Sequence, residues 1–144
     1  MTPRPARAEE AARLTAIARA AYAPFAPVLG PDPPPVRQDF PGDIAGGRVW
    51  VTGAPAIGFI VLRADGPDWL IENLGVDPAA QGAGAGRALI GFAEAEGRRR
   101  GHCRAVLYTS PLMTGTVAFY TKLGYREAAM ESAEVHRIRL TKDL

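Results

Sequence analysis

The feature that most constrains this fold is a glycine-rich segment between an apolar strand pattern and a helical pattern. Residues 69–76 read W-L-I-E-N-L-G-V, and residues 81–86 read Q-G-A-G-A-G. A helical pattern follows, with apolar residues at Ala85, Leu89 and Ala93. Because glycine has no Cβ, its backbone N–H groups can approach a ligand closely, and a helix N-terminus adds unpaired donors and partial positive charge. The segment therefore predicts an anion site, most often one for phosphate.

Two common nucleotide-binding motifs do not fit this segment. A dinucleotide fingerprint that starts at Gly82 requires its third glycine at position 87, where the chain has Arg87. No acidic residue follows at the distance of about 20 residues that a ribose contact requires. A P-loop requires a G-K-[ST] triplet, which the sequence lacks.

Two other motifs resemble those of a known family. Gln81, Gly84 and Gly86 form Q-x-x-G-x-G, preceded by V-D-P at residues 76–78. This string resembles the acyl-CoA-binding motif of the GNAT family of N-acetyltransferases. Further along, residues 118–125 read A-F-Y-T-K-L-G-Y, similar to the F-Y-x-K-x-G-F/Y of that family. The resemblance extends over most of the chain, from the first helix to the last strand, and these two segments are its specific part.

The strand and helix patterns and the resemblance imply the same architecture. Alternating strands and helices flanked by hairpins favour an α/β fold with a mixed sheet. The GNAT resemblance implies a mostly antiparallel sheet flanked by helices, whose fourth and fifth strands splay apart, with acetyl-CoA as co-substrate in the gap. The implied cofactor-binding residues are Leu74, Gly75 and Val76 on the strand and Gln81, Gly82, Ala83, Gly84, Ala85, Gly86 and Arg87 in the turn.

Tyr120 is the candidate for protonating the leaving thiolate. It occupies the tyrosine of F-Y-x-K, which the resemblance places near the CoA sulfur. An aromatic side chain that packs one face of its helix is the alternative.

Glu72 is the candidate general base, because the attacking amine must be neutral and this carboxylate interrupts an apolar strand. Its alternation with Leu74 and Val76 predicts that the three share a face. An ordinary salt bridge is the alternative for Glu72. Tyr108, on the neighbouring strand, is a rival as base or as a wall of the substrate site.

The acceptor amine is expected near the first helix. Tyr22 and Phe25, at the end of that helix, are candidates for lining the acceptor pocket, and core packing is an equal explanation. The proline-rich residues 30–47 predict an ordered surface segment that can shape the same pocket. Because this segment has few acidic residues, a polycationic acceptor is not specially indicated.

The sequence departs from the GNAT pattern at one position. Where many relatives have an asparagine that contacts the pantetheine arm, this chain has Met113. A hydroxyl of Ser110, Thr114 or Thr116 must substitute, or the contact is lost.

The hydrophobic pattern predicts the order of elements. We expect a short strand near Arg4, a helix over residues 8–23 that Pro24 and Pro27 end, and at most a short helix at 36–44. The remaining predicted elements are strands at 48–52, 56–62 and 69–76, a helix from 85 to about 97, a strand at 105–109, a helix at 114–123 and strands at 126–129 and 133–140.

Length and charge set further expectations. The 144 residues suit one domain, residues 1–144, and a net charge of +2 gives nucleic-acid binding no support. No apolar run reaches the roughly 18 residues of a membrane span. One cysteine, Cys103, suits a reducing, cytoplasmic compartment, and two histidines make a metal site improbable.

The leading hypothesis is an acetyl-CoA-dependent N-acetyltransferase that acts on a small-molecule amine or a peptide amine. A non-catalytic acyl-CoA sensor is the first alternative, and an interaction domain without cofactor is the second. Homodimers are common in the GNAT family, and the sequence does not decide between monomer and dimer.

Overall fold

A computed structural model describes residues 1–128 and 137–144, and its described strands form one mixed sheet. The strands are β1 (Arg4–Pro5), β2 (Val49–Thr52), β3 (Gly58–Asp65), β4 (Asp68–Val76), β5 (Arg104–Thr109), β6 (Arg126–Ala128) and β7 (Ile138–Asp143). Their order in the sheet is β1-β2-β3-β4-β5-β7-β6. Every neighbouring pair is antiparallel except β4 and β5, which are parallel. The predicted mostly antiparallel mixed sheet is confirmed.

Helices flank this sheet. They are α1 (Ala11–Tyr22), α2 (Ala26–Leu29), α3 (Phe40–Ala45), α4 (Ala85–Arg99) and α5 (Thr114–Lys122). Short 3₁₀ turns lie at Ala8–Glu10, Ala23–Phe25, Pro34–Arg37 and Pro78–Ala80. In the described part of the chain, no helix is both long enough and apolar enough to cross a bilayer.

Alternating residues of the central strands divide the core into two apolar clusters, one on each face of the sheet. On β3, Ile60 and Leu62 pack with Leu89 and Ala93 of α4. Phe59 and Val61, the alternate residues, pack with Leu14 and Ile17 of α1 and Phe40 of α3. This period of two is what a strand buried on both faces requires.

Two predicted boundaries were wrong, and a third was met within one residue. The first helix, α1, ends at Tyr22 just before its predicted end, and Ala23–Phe25 and α2 then continue a helical path to Gly30. Each proline lies in the first turn of a new segment, where its missing N–H costs no hydrogen bond. The short helix predicted at 36–44 is a 3₁₀ turn followed by α3. The last strand runs to Asp143, and its predicted residues 133–136 lie outside the described residues, as does Ala129.

Candidate active site

The gap between β4 and β5 forms the candidate site. The two strands pair only at Trp69 with Ala105 and at Leu70 with Val106. Past that point the pairing between β3 and β4 shifts register, so that Glu72 has no opposite residue on β3. Such a bulge bends a strand and increases its twist. β4 thus diverges from β5 and leaves its edge from residue 71 onward without a strand partner, which confirms the predicted splay.

A cavity of about 660 Å³ occupies this gap. It brings together the predicted catalytic residues Glu72 and Tyr120, the predicted substrate residues Tyr22, Phe25 and Tyr108, and the predicted cofactor residues Leu74, Gly75, Val76, Gln81, Gly82, Gly84, Ala85, Gly86 and Arg87. Ala83 is the exception. It does not line the cavity, and its N–H bonds weakly to the carbonyl oxygen of Ala80 at 3.4 Å.

The glycine-rich turn leaves backbone donors free at the start of α4. Gly82 and Gly84 have φ angles of 89° and 86°, a left-handed conformation that residues with a Cβ rarely adopt. Gly84 is the N-cap of α4, and no side chain caps this helix. Among the described residues, the N–H groups of Ala85 and Gly86 meet no protein acceptor. Together with the helix dipole, these donors suit the pyrophosphate of a nucleotide.

Asp77 and Arg13 hold the turn in place, and no sequence pattern had indicated a role for Arg13. Arg13 donates to the Asp77 carboxylate at 2.7 Å and to the carbonyl oxygen of Ala56 at 3.1 Å. Asp77 also accepts the N–H of Ala79 at 3.0 Å. Both hydrogen bonds lower the pKa of Asp77, and the one from the Ala79 backbone has the larger effect. The turn that follows β4 is thereby tied to α1.

Tyr120 is buried in the wall of the cavity. Its ring meets Phe119 and Tyr125 edge to face, with centroids 5.2 and 5.4 Å away. Among the described residues, its hydroxyl has no hydrogen-bond partner. Burial raises the pKa of Tyr120 far above its ordinary value, and the nearby Tyr22 adds to this. The hydroxyl therefore stays protonated and can donate a hydrogen bond.

Glu72 lies at the bulge within a network of charged and amide groups. Its carboxylate accepts from Arg63 Nε at 3.0 Å and from Gln38 Nε2 at 2.7 Å. Gln38 Nε2 also donates to Asp43 at 2.6 Å, and Gln38 Oε1 accepts from Asn73 at 3.1 Å. Burial alone would raise the pKa of Asp43. Hydrogen bonds from Gln38 and Arg48, together with the charges of Arg48 and Arg63, outweigh burial and lower this pKa.

The expectation that Glu72, Leu74 and Val76 share one face of β4 was wrong. Glu72 and Asn73 both reach Gln38, so two consecutive side chains point to the same side. Leu74 packs on the opposite side, against the cluster that contains Ile71. The bulge inserts one residue and so changes the parity of the strand.

One of the three hydroxyls proposed to replace the missing asparagine lines the cavity. Thr116 lies in its wall beside Met113. Ser110 lines a neighbouring cavity and accepts the N–H of Leu112 at 3.2 Å. Thr114, at the start of α5, lines neither cavity. Of the three, Thr116 is thus the residue that lies in this cavity.

A second cavity of about 940 Å³ adjoins the first. The two share Tyr22, Glu72, Tyr108 and Met113 in their walls. Burial raises the pKa of Tyr22. Pro34, Pro35 and Arg37 of the 3₁₀ turn Pro34–Arg37, which belongs to the proline-rich segment, also line the second cavity. A ligand in one cavity therefore meets a ligand in the other at Glu72 and the two tyrosines.

Comparison with known proteins identifies the class of protein to which this fold and site belong. A profile of the Acetyltransferase (GNAT) family matches residues 14–125, well over half of the chain. The chain therefore belongs to this family of N-acetyltransferases.

Similar proteins carry related names. The mycothiol acetyltransferases of Thermobispora bispora and Nocardia farcinica are 40% identical over 62 residues and 43% identical over 60 residues. These alignments cover 43% and 42% of this chain but only 21% and 20% of the two relatives, so the chain spans about a fifth of their length.

A solved structure shares the whole fold. The PaiA N-acetyltransferase from Thermoplasma acidophilum, in complex with coenzyme A, has a TM-score of 0.82 at 18% identity. The match covers 99% of this chain and 98% of that one. At this level of identity the likeness is one of fold.

Proposed function

We propose that this chain transfers an acetyl group directly from acetyl-CoA to a primary amine of a small molecule or peptide. The single observation that supports this most strongly is the meeting of two cavities at Glu72. The first cavity contains, at one end, the backbone N–H groups at the start of α4, and the second cavity has polar and aromatic walls that suit an acceptor. Acetyl-CoA would supply an activated thioester.

The turn and the open strand edge would bind the donor. The residues around Gly82 and Gly84 would bind the pyrophosphate through backbone N–H groups. The unpaired edge of β4 at Leu74 and Val76 would form strand-like hydrogen bonds with the pantetheine arm. Gly86 and Arg87 line the same cavity and extend this anion site along the first turn of α4.

Two side chains would move protons. The Glu72 carboxylate, held by Gln38 and Arg63 at the junction of the cavities, would accept the proton of the attacking amine, directly or through water. The Tyr120 hydroxyl, which burial keeps protonated, would donate a proton to the departing thiolate. Tyr108 borders both cavities and remains the rival base to Glu72.

Steady-state release of CoA, followed with a thiol reagent across a panel of primary amines, tests the proposal. We expect CoA to form in proportion to an acetylated amine that mass spectrometry identifies. If acetyl-CoA binds and stabilises the protein but no amine is acetylated, the chain is a non-catalytic acyl-CoA-binding protein instead.

A further inference from the structure

Among residues 1–128 and 137–144, arginines outnumber carboxylates in the wall of the second cavity. The arginines are Arg37, Arg48, Arg63 and Arg137, and the carboxylates are those of Asp39, Asp43 and Glu72. An acceptor pocket for a polycation would show the opposite balance, because like charges repel at close range in a partly desolvated site.

Two of these arginines are already neutralised. Asp43 accepts from Arg48 Nε at 2.8 Å and from Arg63 at 3.0 Å, and Arg63 also bridges to Glu72 at 3.0 Å. Asp39 accepts the N–H of Gly42 at 3.1 Å and so caps α3. Arg48 and Arg63 are thus paired with carboxylates of the same wall.

Arg37 is different. It ends the 3₁₀ turn Pro34–Arg37, its side chain lines the second cavity, and no residue in the described ranges forms a hydrogen bond or ion pair with it. Val36, the preceding residue, is buried and anchors the turn. Elsewhere in the same wall, the guanidinium of Arg137 lies 4.8 Å from the centroid of the Tyr108 ring.

We propose that the acceptor is an amine that also carries an anionic group, a carboxylate or a phosphate, and that Arg37 binds this group in the second cavity while the amine points to Glu72. This inference rests on the proposed function. Arg37 supplies the charge-assisted hydrogen bonds. The apolar part of the wall, including Leu29, Leu70 and Met113, suits an apolar body between the two polar ends.

A matched series of acceptors tests the charge preference. L-phenylalanine, L-phenylalaninamide and 2-phenylethylamine share a ring and an amine and differ in the carboxylate, and O-phosphoethanolamine against ethanolamine tests phosphate. We expect kcat/KM for L-phenylalanine or for O-phosphoethanolamine to exceed that of the matched acceptor without the anionic group about tenfold. This is the value of one charge-assisted hydrogen bond. The carboxamide lowers the basicity of its amine, so a preference for the amino acid cannot come from a larger fraction of neutral amine. A preference for 2-phenylethylamine and ethanolamine overturns the proposal.

The variant Arg37→Gln assigns the preference to a residue. We expect the ratio of kcat/KM between the anionic and the uncharged acceptor to fall about tenfold, with the stabilisation by acetyl-CoA unchanged. Arg98→Gln is the matched control, because Arg98 is an exposed arginine near the end of α4 that lines neither cavity. A ratio that stays constant in Arg37→Gln, or that falls equally in both variants, contradicts the assignment.

A binding measurement separates this proposal from the proposed function. In the presence of CoA, N-acetyl-L-phenylalanine should raise the melting temperature more than N-acetyl-2-phenylethylamine does, and Arg37→Gln should remove the difference. If no amine is acetylated but the two products differ in this way, the proposed acetyltransferase function is wrong and the proposed anion site stands. If amines are acetylated but the two products give equal melting temperatures, the proposed anion site is wrong and the acetyltransferase function stands.

Discussion

Replacing Tyr120 by phenylalanine removes one oxygen atom and keeps the ring. The edge-to-face contacts with Phe119 and Tyr125, at 5.2 and 5.4 Å, depend on the ring and persist in the variant. No described residue loses a hydrogen-bond partner. We therefore expect the free energy of unfolding to change by less than about 0.5 kcal/mol, since no buried group becomes unsatisfied.

Catalysis should respond very differently. If the Tyr120 hydroxyl protonates the leaving thiolate, its loss should lower kcat about 100-fold, the lower end of what a positioned acid contributes. Because burial raises the pKa of Tyr120, the wild-type hydroxyl stays protonated as pH rises from about 7 to about 10. Ionisation of this group should therefore cause no loss of kcat over that range.

Tyr125→Phe is the matched control. The Tyr125 hydroxyl donates to the buried Glu94 at 2.8 Å, and Lys142 holds the same carboxylate at 3.0 Å. Its removal should cost about 1.5–3 kcal/mol of stability, lower the melting temperature by several degrees and leave kcat nearly intact. CoA release and thermal unfolding of both variants measure the two effects. A Tyr120→Phe enzyme with wild-type kcat would show that Tyr120 is only a core aromatic.

Three further perturbations test other parts of the site and fold. Glu72→Gln should lower kcat about 100-fold, because an amide cannot accept the proton of the attacking amine; an unaltered kcat leaves Glu72 as a structural salt-bridge residue. Gly84→Ala should weaken acetyl-CoA binding at least tenfold by calorimetry, whereas Gly101→Ala, with a similar φ of 87° and equally open surroundings, should cost similar stability and spare binding. Arg4 lowers the pKa of Glu10 to about 2 by a hydrogen bond. In acid-unfolding titrations, the wild type should therefore exceed Glu10→Gln in free energy of unfolding by its full amount above pH about 4.5, and this difference should vanish as pH falls through about 2. A difference that does not depend on pH argues against the pair.

The sequence predicted most elements of this fold because their signals are local. The apolar runs of β2 and β3, the turn residues 53–55 between them and the glycine-rich start of α4 are each contained within a few residues. The family resemblance of residues 76–86 then placed the predicted donor site at the end of β4, where the first cavity lies. Ala83 does not line this cavity, because a motif specifies a loop path but not which of its residues faces inward.

The position of the bulge and the second cavity could not be predicted in this way. Alternation through Glu72 and Leu74 implied one face, and only the pairing of β4 with β3 shows that the parity changes between them. The arrangement around Glu72 combines Gln38, Asp43 and Arg63, which are distant in sequence and meet only through folding. No local pattern distinguishes Arg37, which lines the cavity, from other surface arginines.

The most direct test of a donor site at the glycine-rich turn is thermal unfolding with acetyl-CoA, with free CoA and with NAD. Acetyl-CoA at about 100 times its Kd should add about 2.7 kcal/mol to the free energy of unfolding, and so raise the melting temperature by several degrees. Free CoA should give a similar shift, because the turn and the strand edge bind the part that the two molecules share, and NAD should give none. No shift with either CoA species would contradict the account.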